Sequence, residues 1–487
     1  MCNSTVCDTL GPVTPVGSGQ YVVYTSNKAG LRFYRQVHKF TPKTTHNKMK
    51  FPDGKIPTSE VNREHTFQTV LGFGGAFTDA AGINILQLSA PVQEKLIQSY
   101  FSTEGIEYTF ARVPMAGSDF STHTYSYNEE EGDFNMTHFN LTEEDHKYKI
   151  PLIQRAMDMS KRSLFVYATP WSAPAWMKTS DEFSGKGTLK GEPGGEYYQA
   201  WAEYFAKFLE EYGKNNISFW AVTAQNEPTD GDIANFSFNS LGFTAETQRE
   251  FVAKNLGPTL EKSGFSQVKI IILDDQRLML PKWAQTVLSD PVANKYVSGI
   301  GVHWYLDLVV PAEVLTLTHD KFPDKFILAS EACEGSLPWT KNHVSLGSWD
   351  RAESYAYDII QDLGHWVVGW TDWNLALNLE GGPNWAKNFV DSPIIVDAKM
   401  DQFYKQPMFY ALGQFSKFLQ PDAVRIDLDP MPQGLDALAF LNPDNSTVIV
   451  ALNRKSYPVP ISIHDEKQGY LEGQVPAHSI QTFMWWM

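Results

Sequence analysis

A repeating unit fills the middle of this chain, in which a short apolar run ends in polar or aromatic residues and an amphipathic helical pattern often follows. Eight such runs occur, at 68–77, 108–115, 164–174, 218–228, 268–277, 297–305, 325–332 and 365–374. Runs that are apolar almost throughout are typical of parallel strands covered by helices. Eight of these units over about 300 residues predict an α/β fold, a (β/α)8 barrel.

Helical periodicity separates several of these runs. In 196–214, apolar and aromatic side chains fall on one face and charged side chains on another. Residues 245–256 form a second helical pattern, for which Thr244 is a suitable N-cap, and 351–363 form a third. Alternation of strands with helices of this length favours parallel pairing over an antiparallel sheet.

The two ends of the chain have a different pattern. Residues 20–26 and 31–37 alternate without helical periodicity, and after residue 422 short strands are separated by turn sequences such as 442–445. A β-sandwich built from both chain ends is the most economical interpretation.

Charge and hydropathy exclude two broad classes of function. Lys and Arg number 40 and Asp and Glu number 56, so the formal net charge is 40 − 56 = −16. An acidic chain of this kind is a poor partner for nucleic acid, because phosphate binding requires a basic surface. No apolar run approaches the roughly 18 residues of a membrane-spanning helix.

Cysteines and glycosylation sequons give a weaker indication of the compartment. Cys2 and Cys7 are close enough in sequence to close a small loop, and Cys333 stands alone. Six Asn-x-Ser/Thr sequons begin at Asn3, Asn135, Asn140, Asn216, Asn235 and Asn445, about twice the number expected by chance. We therefore expect a mature chain of the secretory pathway, whose leader was removed and replaced by Met1.

Polar, acidic and aromatic side chains lie where the predicted strands end, which in a barrel is the functional rim. They are Asp79, Arg112, Asp119, Trp171, Trp176, Asn226, Glu227, Asp274, Asp275, Arg277, His303, Trp304, Tyr305, Glu331, Trp370, Asp372, Trp373 and Asn374. Aromatic rings stack on the apolar face of a sugar, and carboxylates and amides bind its hydroxyls. The rim composition therefore favours a carbohydrate ligand.

Glu227 and Glu331 are the strongest catalytic candidates on this rim. Each closes an apolar strand, where a charge is costly to bury without a partner. A structural ion pair or a helix N-cap explains a single glutamate of this kind equally well. Two such glutamates in one barrel favour a glycosidase, because glycoside hydrolysis needs one carboxyl group to protonate the leaving oxygen and a second to attack or to activate water.

Other candidate motifs support no cofactor or metal. His303 has no second histidine at metal-ligand spacing, so a structural or substrate-bonding role is preferred. Asp274 and Asp275 lack the spacing of a calcium loop, and we expect them to pair with Arg277.

Several longer motifs resemble the glucosylceramidases of glycoside hydrolase family 30. They lie at 2–8, 73–81, 112–115, 226–228, 274–277, 302–307, 329–333, 367–378 and 380–385. The resemblance spans nearly the whole chain and implies retaining, double-displacement hydrolysis of glucosylceramide.

By motif position the resemblance implies Glu227 as the acid/base and Glu331 as the nucleophile. It places Arg112, Asp119, Trp171, Asn226, Trp373 and Asn388 around the glucose, with His303 and Tyr305 on the nucleophile side. It also implies a disulfide between Cys2 and Cys7.

The same resemblance implies three domains and a set of partners. The barrel would comprise 68–374 and 408–421, the sandwich 12–67 and 422–487, and a small antiparallel sheet 1–11 and 375–407. Implied partners are an anionic membrane surface approached peripherally, a small saposin-like activator that presents the lipid, and a lysosomal transport receptor. The implied compartment is the lysosomal lumen, reached through the secretory pathway.

The chain departs from the family pattern at four positions, which bear on aglycone preference and lid behaviour, and two alternative functions remain open. Phe236 stands where the family often has tyrosine, Gln225 replaces a glutamate, and Ser118 and Ser240 replace cysteines. The first alternative is a family 30 relative that acts on xylan or a β-glucan. The second is a catalytically silent carbohydrate-binding protein, against which the presence of both glutamates argues.

Overall fold

Residues 1–42, 57–337 and 340–487 are described by the computed structural model. The strands of these ranges are β1 (Gln20–Asn27), β2 (Tyr34–Lys39), β3 (Ser59–Val70), β4 (Gly72–Ala76), β5 (Phe110–Met115), β6 (Phe165–Pro170), β7 (Ala221–Thr223), β8 (Lys269–Gln276), β9 (Val297–His303), β10 (Phe326–Glu331), β11 (Val367–Asn374), β12 (Leu377–Asn378), β13 (Ile394–Asp397), β14 (Gln402–Lys405), β15 (Ala423–Asp429), β16 (Asp436–Leu441), β17 (Ser446–Asn453), β18 (Val459–Asp465), β19 (Gly469–Val475) and β20 (Ser479–Trp486).

The α-helices of the same ranges are α1 (Asp79–Leu86), α2 (Ala90–Phe101), α3 (Ile150–Met159), α4 (Glu196–Gly213), α5 (Ala245–Phe251), α6 (Gly257–Lys262), α7 (Lys282–Leu288), α8 (Pro291–Tyr296), α9 (Glu313–Lys321), α10 (Trp349–Gly364) and α11 (Pro407–Ser416). The amphipathic pattern at 196–214 forms α4, and Thr244 caps α5 by accepting from the Thr247 backbone N–H. None of the helices described combines the length and apolar character needed to cross a bilayer.

The predicted barrel is confirmed. Strands β4 to β11 close in sequence order, and each neighbouring pair is parallel. Its walls are apolar because both faces of each strand are covered: β11, for example, is buried along its whole length. The strands therefore deliver their last residues to one rim.

The chain ends form the predicted sandwich as one nine-stranded sheet that folds over on itself. Its order is β19-β18-β3-β15-β16-β17-β20-β1-β2. Backbone hydrogen bonds between Thr41 and Tyr470 bring the two ends of the sheet together. Tyr21, Phe40 and Trp485 pack between its layers. Burial of this apolar face holds the sandwich together.

A small three-stranded sheet lies beside the barrel. Strand β13 pairs antiparallel with β14 and parallel with β12. The Cys2–Cys7 disulfide lies against it, because Cys2 forms an antiparallel bridge with Phe403. Cys333 is a free, buried thiol.

Two of the predicted runs differ from the observed strands. The run at 68–77 is divided, since Ser59–Val70 belongs to the nine-stranded sheet and only Gly72–Ala76 to the barrel. Strand β3 (Ser59–Val70) therefore extends across the predicted domain boundary between residues 67 and 68. The run at 218–228 contains only the three-residue strand β7, because the chain turns at Ala224–Glu227 to enter the rim.

Candidate active site

Glu331 is the last residue of β10, and only 5% of it is exposed. Arg112, on β5, donates from Nη1 to Glu331 Oε2. The Tyr305 hydroxyl donates to Oε1 at 2.6 Å. One cationic and one neutral donor therefore fix both oxygens and stabilise the carboxylate charge.

Arg112 is completely buried and organises the centre of the rim. Its Nη2 donates to Asn226 Oδ1 at 2.9 Å and to Asp274 Oδ2 at 3.1 Å. Its guanidinium lies 5.0 Å from the Trp171 ring centroid and 5.3 Å from that of Trp373. Burial alone would lower the pKa of Arg112, but the carboxylates around it, Asp274 first, raise it above its ordinary value.

Glu227 follows β7 with a backbone φ of +37°, a conformation that non-glycine residues rarely adopt. Its amide donates to the Asp274 carbonyl at 2.9 Å, which anchors the turn on the neighbouring strand. Its Oε1 faces Gln276 Nε2 at 3.1 Å and His303 Nδ1 at 3.0 Å. The strained turn thus aims the carboxyl group into the rim.

Asp230 shares a hydrogen bond between carboxyl groups with Glu227. Burial and then the charge of Glu227 raise the pKa of Asp230 to about 11. Burial would also raise the pKa of Glu227, but the hydrogen bond and charge of His303 outweigh it and lower that pKa. One proton therefore stays in the Glu227–Asp230 pair.

His303 ends β9 between carboxylates. Its Nδ1 lies 3.0 Å from Glu227 Oε1 and 3.9 Å from Glu331 Oε1, and its Nε2 lies 3.0 Å from Asp274 Oδ1. Burial alone would lower the pKa of His303, but the charges of Glu331 and Asp274 raise it to about 10. The ring is therefore an imidazolium that donates from both nitrogens. The resemblance implied a position on the side of the nucleophile Glu331, but the ring lies closer to Glu227.

The two glutamates face each other across a short gap. A carboxylate oxygen of Glu227, one of Glu331 and a ring nitrogen of His303 all lie within 4.8 Å of one another. Such a donor set also resembles a divalent-cation site, but Arg112 and Tyr305 already donate to Glu331. These contacts favour carboxylate chemistry.

Two tryptophans line the buried end of the site. Trp171 and Trp373 stack with ring centroids 4.9 Å apart and an interplanar angle of 16°. Both are at most 3% exposed. Phe120 packs edge-on against Trp373. These rings form a packed aromatic group against the Arg112 guanidinium.

Asp119 provides an acceptor near the tryptophans. Its Oδ2 accepts from Asn388 Nδ2 at 3.1 Å and from Asn384 Nδ2 at 3.3 Å. Burial, and then the charge of Glu331, raise the pKa of Asp119 to about 7. The residue therefore carries a proton over most of the acidic range.

The structure brings the residues predicted for the site into one constellation. Direct contacts link Arg112 to Glu331, Asn226, Trp171 and Trp373. The remaining predicted residues join it through hydrogen bonds to these or to each other: Tyr305, His303, Glu227, Asp119 and Asn388.

The six predicted glycosylation sites are at least partly exposed, whereas three of the departures from the family pattern are buried. Asn135, Asn140, Asn216, Asn235 and Asn445 are exposed and Asn3 is half-buried. Ser118 and Ser240 are buried. Gln225 is also buried, and its Nε2 donates to the Pro170 and Trp171 carbonyls, so it fixes the turn behind Trp171.

One expectation is wrong: Asp274 and Asp275 do not pair with Arg277. Asp274 points into the barrel and binds Arg112 and His303, while Arg277 points outward and binds Asp307. Asp275 instead accepts from the Thr229 backbone N–H and hydroxyl. The positive φ of Leu273 and Asp274 and the register shift there break the regular alternation of β8, which the pattern of charges does not reveal.

Sequence reasoning also missed Asp230, Gln276 and Asn384. Asp230 and Gln276 contact Glu227, and Asn384 contacts Asp119. The first two lie within three residues of predicted strand ends, which is the signal that would have found them.

Comparison with known proteins decides the family. The model of the glycosyl hydrolase family 30 TIM-barrel domain matches residues 70–419, and that of the family 30 beta sandwich domain matches 422–483. The chain belongs to glycoside hydrolase family 30. It is a retaining glycoside hydrolase, a class whose mechanism uses two facing carboxyl groups.

Three relatives illustrate this family 30 membership. The lysosomal acid glucosylceramidase of Mus musculus is 50% identical over 487 residues, covering 100% of this chain and 93% of that protein. Among solved structures, SrfJ from Salmonella typhimurium has a TM-score of 0.86 at 27% identity, covering 96% of this chain and 100% of that one. An endo-β1,6-glucanase has a TM-score of 0.82 at 25% identity, covering 97% and 99% respectively.

Proposed function

We propose that this family 30 enzyme hydrolyses the β-glucosyl bond of glucosylceramide, releasing glucose and ceramide by double displacement. The observation that carries the proposal is the pair of facing carboxyl groups, in which an oxygen of Glu227 lies within 4.8 Å of one of Glu331, close to the buried, stacked rings of Trp171 and Trp373. The 50% identity to the mouse glucosylceramidase supports the choice of substrate.

In the first step Glu331 acts as the nucleophile. One of its oxygens forms a bond to the anomeric carbon while the bond from that carbon to the ceramide oxygen breaks. Glu227, drawing on the proton that it shares with Asp230, protonates the departing oxygen, so ceramide leaves as a neutral alcohol. Arg112 and Tyr305 hold the attacking carboxylate in place.

In the second step Glu227 acts as the base. It takes a proton from water, the water oxygen bonds to the anomeric carbon, and the bond to Glu331 breaks. Two inversions leave β-glucose. The His303 imidazolium stabilises Glu227 whenever that carboxyl group is anionic.

The glucose would occupy the buried end of the site. Trp171 and Trp373 present aromatic surface to the ring, while Asp119, Asn388 and Asn226 offer hydrogen bonds to its hydroxyls. Because Asp119 and both tryptophans are buried, this end accommodates a terminal sugar better than a continuing chain. That enclosure favours a glucosylceramidase over an enzyme that cuts inside xylan or β-glucan.

Exposed apolar side chains on the rim support a membrane-bound substrate. Leu308 is 88% exposed and Val309 is 76% exposed. They border a cavity of about 560 Å³ that also reaches Tyr305. A lipid surface would cover this apolar tip, and a saposin-like activator or a transport receptor would act on the same lysosomal enzyme.

Three aromatic residues of the rim loops, Phe236, Phe238 and Trp339, are alternative candidates for the membrane contact. Phe236 and Phe238 pack against each other with centroids 4.4 Å apart and are half-buried. Trp339 lies outside the described residues. Leu308 and Val309 therefore replace them as the proposed contact.

The test is product release from three substrates at pH 5. We expect glucose from glucosylceramide in vesicles and turnover of a fluorogenic β-glucoside, with much slower turnover of the matching β-xyloside. Glu331→Gln is the matched control and should abolish both reactions. Preference for the xyloside, or turnover of the β-glucoside without glucosylceramide, would overturn the assignment.

A further inference from the structure

A buried group of three carboxyls lies one layer outside the catalytic residues. Asp307, on the loop 304–312 that follows β9, meets Asp358 and Asp362 of α10, and one oxygen of each lies within 4.8 Å of the others. We call these three residues the carboxyl cluster. Asp358 and Asp362 are one helical turn apart, so α10 presents both to the loop.

Within the part of the chain that the structure describes, one cationic side chain, that of Arg277, contacts the carboxyl cluster. Its Nη1 lies 2.9 Å from Asp307 Oδ2 and 3.3 Å from Asp362 Oδ1. Its Nη2 and Nε also donate to the Asp307 and Val310 carbonyls, at 2.9 Å and 3.0 Å. Arg277 therefore ties the loop 304–312 to the barrel at two points.

One guanidinium cannot balance three buried carboxylates. Asp307 Oδ1 is buried without a hydrogen-bond donor, and the Asp307 side chain shares a carboxyl–carboxyl hydrogen bond with that of Asp358. Two carboxyl groups make such a contact only when a proton lies between them. Burial and then the charges of Asp358 and Asp362 raise the pKa of Asp307 to about 10, in keeping with that proton.

Other charged groups around the adjoining cavity belong to separate ion pairs or to its rim. They are Glu313, Glu334 facing Arg351, Asp350 paired with Lys28, Glu353 paired with His478, and Arg454 paired with Asp436. Among the described residues, Arg277 and the bridging proton are therefore the two sources of positive charge at the carboxyl cluster.

The same loop carries Tyr305, two residues before Asp307. Tyr305 donates to Glu331 at 2.6 Å, and neighbouring Trp304 donates to the Cys333 carbonyl at 3.1 Å. Since two residues span only about 7 Å of chain, a displacement of Asp307 moves the hydroxyl that fixes Glu331.

We propose that the carboxyl cluster, bridged by a proton between Asp307 and Asp358, positions Tyr305 against the Glu331 carboxylate. The proposal rests on the proposed function, in which Glu331 is the nucleophile. These aspartates act through Tyr305 and are positioning residues.

The test compares Asp358→Ala, Asp358→Asn and, as a control on the exposed face of α10, Asp350→Asn. The probe is a soluble fluorogenic β-glucoside at pH 5. We expect Asp358→Ala to lower kcat at least about tenfold with KM changed by less than about threefold. Asp358→Asn should remain within about threefold of wild type, because an amide donates the missing hydrogen bond at every pH. Asp350→Asn should match wild type.

A structural readout separates this proposal from the proposed function. All proteins are compared at the same pH. Backbone amide hydrogen exchange in residues 304–312 should be faster in Asp358→Ala than in wild type, and Asp358→Asn should exchange at the wild-type rate. This measurement needs no substrate, so it remains informative if the enzyme fails to hydrolyse β-glucosides. Asp307→Ala, at a loop position, should loosen the same segment even if Asp358→Ala does not fold.

A double-mutant cycle identifies the route of the effect. In a Tyr305→Phe background, Asp358→Ala should lower kcat by less than about twofold further. Full additivity would overturn the positioning role. So would an Asn variant as impaired as the Ala variant, or unchanged exchange and kcat in Asp358→Ala and Asp307→Ala.

Discussion

A carboxylate oxygen of Glu227 lies within 4.8 Å of one of Glu331. Retaining glycosidases place the two carboxyl groups about 5–5.5 Å apart, whereas inverting enzymes need about 6.5–9.5 Å to admit a water. Proton NMR of the first product should therefore show β-glucose, with α-glucose appearing only through mutarotation. Initial release of α-glucose would rule out the covalent intermediate.

The roles of the two glutamates predict opposite products in azide. In Glu331→Gly the nucleophile is absent, so azide should attack an activated β-glucosyl fluoride directly and give the α-glucosyl azide. In Glu227→Gly the intermediate still forms, and azide should intercept it to give the β-azide. Product stereochemistry is read by NMR, and an exchange of the two products between variants would reverse the assignment.

The sequence predicted the strand ends well, because an apolar run that terminates in a charged residue can be recognised without knowledge of the fold. Glu227, Glu331 and His303 were found in this way. The partners of Glu227 were not, since Asp230 and Gln276 reach it only through the turns after β7 and β8. Contacts across two loops depend on backbone path, which periodicity does not encode.

Arginine pairing was the least predictable part of the site. Arg112 and Arg277 each meet carboxylates that are far away in sequence, such as Glu331 and Asp362. Arg112 reaches Glu331 because the barrel closes, and Arg277 reaches Asp362 because its side chain turns outward towards α10. The strand-end pattern placed Arg112 on the rim, and the resemblance to family 30 supplied its role beside the glucose, but no local pattern indicated its carboxylate partners.

Removal of the Arg112 charge should damage both stability and activity. Arg112→Met leaves the Glu331 and Asp274 carboxylates buried without their cation. We expect about 3–5 kcal/mol of destabilisation, measured by denaturant unfolding, and a loss of at least about 10³-fold in kcat/KM. Arg155→Met, at a half-exposed ion pair with Glu94, is the control and should cost less than about 1 kcal/mol. Near-native activity of Arg112→Met would contradict the proposed support of Glu331.

Asp119 should make stability fall as the pH rises. Its folded pKa is about 7, and its pKa in the unfolded chain is about 3.9. The folded state therefore binds a proton that the unfolded state has lost, and this stabilisation is complete below about pH 4 and disappears as the pH passes 7. Between pH 5 and 8 the free energy of unfolding should fall by about 2–3 kcal/mol from this group.

Asp119→Asn should remove that component of the pH dependence, because an amide does not titrate. The measurement is chemical unfolding at pH 5 and pH 8 for both proteins. Asp133→Asn is the control, because Asp133 is half-buried and its pKa is lowered to about 2, so that its carboxyl group stays ionised between pH 5 and pH 8. An equal slope in wild type and Asp119→Asn would place the titrating group elsewhere.

The same protonation supports an acidic optimum of activity. We expect kcat/KM to be greatest between about pH 4.5 and 6, because Asp119 becomes charged as the pH approaches its pKa of about 7, whereas the Glu227–Asp230 pair keeps its proton throughout this range. The measurement is the pH profile on a soluble β-glucoside. An optimum above pH 7 would argue against a lysosomal site of action.

The membrane proposal makes a prediction about Leu308 and Val309. Ceramide leaves a bilayer reluctantly, because each buried CH₂ contributes about 0.8 kcal/mol. The enzyme must therefore approach the bilayer, although its net charge of −16 at pH 7 opposes an anionic surface. At pH 5 protonation of carboxylates and of the 12 histidines weakens this repulsion.

We expect anionic vesicles to raise glucose release from glucosylceramide at pH 5, and the double variant Leu308→Ser/Val309→Ser to lose most of that gain. The same variant should hydrolyse a soluble β-glucoside within about twofold of wild type, since both side chains point to solvent. Leu317→Ser, at an exposed apolar position on α9, controls for a general loss of surface hydrophobicity. If the double variant responds to anionic lipid as wild type does, another part of the rim meets the membrane.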